Sequence, residues 1–154
     1  MTPAVRMVEA ARVPFRVHEY THDAGAGTYG QEAADKLGLP AEQVFKTLVV
    51  QLDSGRLAVA LVPVTAQLNL KNLARATGAK KAAMAAPVDV QRATGYVLGG
   101  VSPLGQKKRL ATWIDQSALE HEVIYVSAGR RGLELELATA DLQRLTAGQF
   151  APLI

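Results

Sequence analysis

The sequence contains no cysteine, which at once excludes disulfides, thiolate zinc sites and cysteine nucleophiles. Histidine occurs only at His18, His22 and His121. His18 and His22 fall on one side of an extended strand, but no third ligand of suitable type lies nearby, so no metal site is expected. The serines Ser54, Ser102, Ser117 and Ser127 stand in no Gly-x-Ser-x-Gly elbow. Neither a Walker loop nor a dinucleotide fingerprint is present, and no cofactor is expected. No apolar run is long enough to span a bilayer, and the start Met1-Thr-Pro-Ala-Val-Arg6 lacks the charged-then-apolar layout of a signal peptide. A cytoplasmic protein without a membrane partner is expected. There is no repeat, linker or low-complexity segment, and 154 residues suit one domain over 1–154.

What is present describes a folded globule. Hydrophobic residues make up 49% and charged residues 20%, enough apolar surface to offset the entropy of folding. The net charge of +3 permits a polyanionic partner without demonstrating one. Thr2 can cap a helix that Pro3 opens and Pro14 ends. A strand follows over 15–20, with Phe15, Val17 and Glu19 on one face and His18 and Tyr20 on the other. Thr28 and Gln31 have capping-box spacing for a helix over 29–37, stopped by Gly38. Residues 44–52 and 56–62 read as strands joined by the Asp53-Ser-Gly55 turn. Asn69 or Leu70 opens a helix to Ala76 with Gly78 as its stop, and a small-residue strand is expected near 82–85. Pro87 starts a helix ended by Gly95. Strands are expected over 110–114 and 123–127, the first followed by a short helix capped by Asp115. A turn over 128–132 leads into Leu133-Glu-Leu-Glu-Leu137, whose alternation predicts one face in water. Thr139 caps a last helix to about Ala147. The mixture predicts an α+β domain with a largely antiparallel, curved sheet.

Chemistry gathers in two places. Lys46 lies in a strand with Val44, Leu48 and Val50 on its own face and Phe45, Thr47 and Val49 on the other. An ammonium in a strand covered on both sides is costly unless an anion meets it, whereas an edge or snorkelling lysine pays no such cost. The stretch Gly95-Tyr-Val-Leu-Gly-Gly-Val-Ser-Pro-Leu-Gly-Gln-Lys-Lys-Arg-Leu110 combines a glycine pair, a Ser-Pro step and three cations. It can form a loop whose backbone N–H groups meet an oxyanion or phosphate, or a plain turn with a solvated tail. Other cations stand at Lys71, Arg75, Lys80-Lys81 and Arg130-Arg131, the ordinary pattern of a solvated surface. Lys107, Lys108 and Arg109 differ because they follow the glycine loop directly, where a phosphodiester chain would find its charges matched. Any enzyme built from this inventory has Lys46, Tyr20, Ser102, Thr47 and backbone amides to work with. Such a set suits a substrate that carries its own reactivity.

These segments resemble the YbaK/EbsC family of freestanding aminoacyl-tRNA editing proteins. The likeness is carried by Met1-Thr-Pro-Ala-Val5 with Tyr20-Thr-His-Asp23, by Gln43-Val-Phe-Lys-Thr-Leu48, by Gly78-Ala-Lys-Lys81, by Thr94 through Leu110, and by Gly129-Arg-Arg-Gly-Leu133. The resemblance implies a compact mixed α/β domain with a central, barrel-like sheet flanked by helices. It implies trans-editing of mischarged Cys-tRNA(Pro), and of Cys-tRNA(Cys), in transient complex with prolyl-tRNA synthetase. A hydrophobic synthetase pocket rejects a near-isostere poorly, so a second site is needed. The family's central lysine falls on Lys46, where a phosphate near the terminal adenosine is the anion to meet it. Its glycine loop falls on Gly99, Gly100, Val101 and Ser102, whose amides would hold the ribose or the ester carbonyl. Tyr20, Thr47 and Tyr96 match pocket positions. Glu134 stands where relatives tend to carry Asp, keeping the charge and changing the reach. In this branch the substrate thiol displaces the tRNA as a cyclic thioester, a formal lyase step that needs no protein nucleophile. Two other readings remain: a non-catalytic module that binds tRNA ends or the synthetase, and a deacylase for Ala- or Ser-charged tRNA.

Overall fold

The computed structural model describes residues 1–25 and 29–154. Helix α1 spans Pro3–Ala11, and Thr2 caps it by accepting from the Val5 amide at 3.2 Å. Ala4, Val5 and Val8 form its buried face. Strand β1 (Phe15–Glu19), helix α2 (Tyr29–Leu37), and the hairpin β2 (Phe45–Leu52) and β3 (Leu57–Pro63) follow. The capping role expected of Thr28 lies outside the described residues. Helix α3 (Leu70–Thr77) is capped by Asn69, which accepts from the Asn72 amide at 3.0 Å, and ends at Gly78 with φ +79°. Strand β4 (Ala82–Met84), helix α4 (Pro87–Thr94), strands β5 (Ala111–Asp115), β6 (Val123–Arg130) and β7 (Leu133–Ala138), helix α5 (Thr139–Thr146) and strand β8 (Gln149–Ala151) complete the chain.

The strands form two sheets. One is antiparallel, in the order β1-β7-β6; the other is mixed, in the order β4-β2-β3-β5-β8. In the mixed sheet β3 pairs parallel with β5 and β5 parallel with β8, while β2 pairs antiparallel with both β3 and β4. Besides side-chain packing, an isolated parallel bridge from Val44, just before β2, to Tyr125 of β6 joins the two sheets. Among the described residues they form an open arrangement rather than a closed barrel.

Alternation along β2 sorts the core into layers. Phe45 and Leu61 pack with α1, α5 and the antiparallel sheet. Val49 and Val59 pack with Val90 of α4 and with Tyr96 and Val101 of the glycine loop. On the opposite face Leu48, Val50 and Leu52 pack with Leu73 of α3. A buried side chain of this size contributes about 1.5–3 kcal/mol relative to exposure, so both faces of β2 are held.

Three local expectations need correction. Strand β6 continues to Arg130 through a register shift after Ser127, so 128–130 is strand rather than turn. Thr139 does not cap α5: Ala138 occupies the cap, and the Thr139 hydroxyl donates to His121 O at 2.7 Å. The alternating Leu-Glu-Leu-Glu-Leu segment does not turn its glutamates to water, since Glu134 is 6% exposed and Glu136 only partly exposed. Strand β7 lies between β1 and β6, and Glu134 pairs across to both His18 and Ser127.

Candidate active site

The site follows from a strand that is too short. β4 pairs with β2 only at Val50, Gln51 and Leu52, while β6 pairs along that edge, among the described residues, only through the isolated bridge to Val44 just before β2. Between those contacts 45–48 has no strand neighbour on that edge, and the loop after α4 fills part of the gap. What remains is a cavity of ≈ 260 Å³. β2 contributes Phe45, Lys46, Thr47 and Leu48; the loop contributes Leu98, Gly99 and Val101; β6 and β7 contribute Ser127, Arg130 and Glu134. Tyr20, just past β1, and Gly30, in the first turn of α2, close it.

Two glycines permit this packing. A Cβ on Gly30 would meet Val64 Cγ1 at 2.3 Å, so α2 reaches Lys46 only because that position has no side chain. A Cβ on Gly100 would stand 2.6 Å from Arg130 Cα, so the loop lies directly on the β6 backbone.

The polar groups around the cavity are short of partners. Lys46 is half-buried and forms no hydrogen bond or ion pair with a described residue, and burial alone moves its ammonium pKa down. Thr47 Oγ1 and Glu134 Oε2 are buried without a hydrogen-bond partner among the described residues. Removed from water, the Glu134 carboxyl is pushed up to about 8. Burial also raises the Tyr20 hydroxyl, with the Glu134 and Glu32 carboxylates adding to the shift and the Gly132 backbone and Arg131 opposing it. The amides of Gly99 and Val101 donate to no described residue, whereas the Gly100 amide is spent on Val97 O at 3.0 Å.

One wall is braced by a buried carboxylate. Glu32 of α2 accepts from the Asp23 amide at 2.9 Å, from His22 Nδ1 at 2.8 Å and from Arg131 Nε at 2.9 Å. Burial alone would raise its pKa, but these three donors outweigh it and hold the carboxyl at about 2. His18 is paired as well, with Glu136 at 2.8 Å, so both strand-side histidines serve carboxylates.

Residues 23–145 match the aminoacyl-tRNA editing domain. The chain belongs to the aminoacyl-tRNA editing domain family. EbsC of Enterococcus faecalis, proposed as a Cys-tRNA(Pro)/Cys-tRNA(Cys) deacylase, is 39% identical over 150 residues, covering 97% of this chain and 91% of that protein. A proline–tRNA ligase of Acidithiobacillus ferrooxidans is 29% identical over 133 residues, which are 79% of this chain and 23% of the ligase. Among solved structures, a proposed trans-editing enzyme for prolyl-tRNA synthetase superposes with a TM-score of 0.82 at 27% identity, covering 99% of this chain and 98% of the other. Editing of aminoacyl-tRNA is cleavage of the ester between amino acid and terminal ribose, so the activity class of this editing domain is aminoacyl-tRNA deacylation.

Of the residues named from the sequence, Lys46, Thr47, Gly99, Val101 and Glu134 of the editing domain, with Tyr20 just before it, all border the one cavity. Others named from the sequence do not. Ser102 is fully buried, with its Oγ accepting from the Leu104 amide at 3.3 Å. Tyr96 is buried in the core beneath the loop, where its hydroxyl donates to Leu104 O at 2.7 Å and burial pushes its pKa up to about 12. These two residues, with Gly100, build the loop rather than line the cavity. Lys107 is exposed beside Gly95, and Lys108 and Arg109 line a different cleft with Arg56 and Trp113. The sequence reading missed Arg130, for which the Arg-Arg pair between two glycines was a signal. It also missed Gly30, Ser127 and Leu98, which carry no local signal at all.

Proposed function

We propose that this editing domain is a trans-acting deacylase of Cys-tRNA(Pro), and of Cys-tRNA(Cys), that takes the cysteinyl ester into the cavity beside Lys46. The observation that supports it is the set of groups without a partner among the described residues, the half-buried Lys46 with the buried Thr47 Oγ1 and Glu134 Oε2, around one small cavity. Leaving a buried polar group unsatisfied costs about 1–3 kcal/mol, and more for a charge. A ligand that matches all three recovers that cost. A cysteinyl ester on a 3′-terminal nucleotide does so, with a phosphate for Lys46, a carbonyl oxygen for the Gly99 and Val101 amides, and the thiol between Glu134 and Thr47.

The chemistry then needs no protein nucleophile. The substrate sulfur attacks its own ester carbonyl, the carbon–sulfur bond forms, and the carbon–oxygen bond to the ribose breaks. The thiol proton ends on the ribose oxygen. Glu134, at about 8, is close to the ordinary thiol value of about 8.5. Its carboxylate form, the minority species at neutral pH, is matched in basicity to the thiol and takes that proton before returning it to the leaving oxygen. The two free loop amides stabilise the oxyanion between these events. A thiol-dependent step separates cysteine from proline, which a size-matched pocket alone discriminates weakly. Choice of tRNA is left to prolyl-tRNA synthetase, met in a transient complex, a reading supported by the kinship to a proline–tRNA ligase.

The test is a panel of aminoacyl-tRNAs with and without prolyl-tRNA synthetase. Cysteine esters should be cleared, and serine or alanine esters cleared at least about 100-fold more slowly for want of the sulfur nucleophile. Equal rates on serine and alanine esters would refute the thiol step and favour an Ala/Ser deacylase. Binding of tRNA with no turnover of any ester would favour a non-catalytic module.

A further inference from the structure

Four cations that the cavity does not use converge elsewhere. Helix α3 and strand β4 enclose a cleft of ≈ 710 Å³, with Ala74 and Ala82 on its floor and Lys71, Arg75, Lys80 and Lys81 on its rim. All four are exposed, and none forms an ion pair with a described residue. Arg75 spends one N–H on Asn72 Oδ1 at 3.3 Å. The nearby acid, Asp53, is turned to the backbone instead: its Oδ1 accepts from the Lys80 and Lys81 amides at 3.1 and 3.3 Å, and its own amide donates to Lys81 O at 3.0 Å. That fixes the backbone of 80–81 while leaving both ammonium groups to solvent. Four like charges around one concavity focus a positive potential that draws anions.

The position of the cleft narrows the anion. Lys46 lies on the same face of β2 as Leu48, Val50 and Leu52, which pack against α3, so cleft and lysine share one side of the five-stranded sheet. Leu52 pairs with Ala82 at the cleft, six residues along β2 from Lys46, or about 20 Å at strand rise. Between them β4 covers Val50–Leu52 and ends at the exposed Met84, and beyond it 45–48 has no strand neighbour on that edge among the described residues. An anion of fixed length would not need both places; a chain of phosphates would meet both.

We propose that the α3–β4 cleft holds the sugar-phosphate backbone of the tRNA close to its aminoacylated end, a placement that rests on the aminoacyl-tRNA reading of the cavity. Of the three cations that follow the glycine loop in sequence, Lys108 and Arg109 line another cleft and Lys107 lies beside Gly95, so they are not part of this track.

The experiment is a salt titration of binding to uncharged tRNA, comparing the wild-type chain with K71Q/R75Q/K80Q/K81Q and with R6Q/R12Q. The second variant removes two exposed cations from α1 and its C-cap, an element that packs against β6 of the other sheet. The cleft variant should bind at least about tenfold more weakly at low salt, and the slope of log K against log salt should shrink by about 3, near 0.7 per lost phosphate contact. R6Q/R12Q should keep both affinity and slope. Unchanged affinity in the cleft variant, or equal weakening per charge in both variants, overturns the proposal. Because uncharged tRNA needs no turnover, this result is independent of the deacylase reading. A wild-type chain that binds through the cleft yet clears no ester would refute only the activity, and one that clears esters while the cleft variant binds normally would refute only the cleft.

Discussion

The Arg131 guanidinium donates to Glu32 Oε1 at 2.9 Å, joining residues 99 positions apart and tying the β6–β7 turn to α2. His22 and the Asp23 amide meet the same carboxylate, so one buried anion holds three of the segments that border the cavity. Its pKa is held at about 2 against an ordinary 4.5. A depressed carboxylate pKa means the folded state binds fewer protons than the unfolded state. The stabilisation is therefore whole above about 4.5 and lost as pH falls towards 2. Thermal melts of the wild type should show a decline in Tm across that window, and E32Q should start lower at neutral pH and lose the decline. An E32Q curve parallel to wild type would contradict this role.

Glu134 has the opposite sign. Burial pushes its carboxyl up to about 8 from 4.5, so the folded state binds more protons than the unfolded one between those values. Stability should fall as pH rises through that interval, by about 1.4 kcal/mol per unit where the difference is complete, and level off above it. E134Q should flatten the profile and melt above wild type at alkaline pH. If Glu134 also handles the thiol proton, E134Q should lower kcat for cysteinyl-tRNA by about 100-fold or more with little change in KM.

Gly100 can be tested by a single methyl group. A Cβ there meets Arg130 Cα at 2.6 Å, and backbone cannot swing aside as a side-chain tip can. G100A should cost about 1–3 kcal/mol by overpacking and lift the loop from β6, lowering deacylation by more than the stability loss explains. Wild-type melting and activity in G100A would refute the close approach.

What could be read from the sequence was what depends on neighbours in the chain. Thr2, Asn69, Gly78 and Gly95 mark helix ends because caps and left-handed stops are local, and the Asp53–Gly55 turn fixes the β2–β3 register for the same reason. The β-branched run around Lys46 identified a strand covered on both faces. Non-local pairing stayed hidden. Strand β8 is three residues long and exists only because β5 offers a parallel edge. Glu134 looked solvent-facing because alternation cannot tell water from a cavity closed by other segments. Ser102 and Tyr96 had the right chemistry for a site, but their hydroxyls are committed to Leu104 within the loop, a fold-back that residue types do not announce.

The central claim, that a cysteine ester is cleaved beside Lys46, is tested most directly by single-turnover release of tRNA from Cys-tRNA(Pro). The wild-type chain and K46A are compared at enzyme excess, with circular dichroism confirming that both are folded. Lys46 has no partner among the described residues to lose, so K46A should fold and should lose at least about 100-fold in rate, the loss of a charged contact to a phosphate combined with misplacement of the ester. A cysteine ester left intact by stoichiometric wild-type enzyme, or a K46A rate equal to wild type, would contradict it.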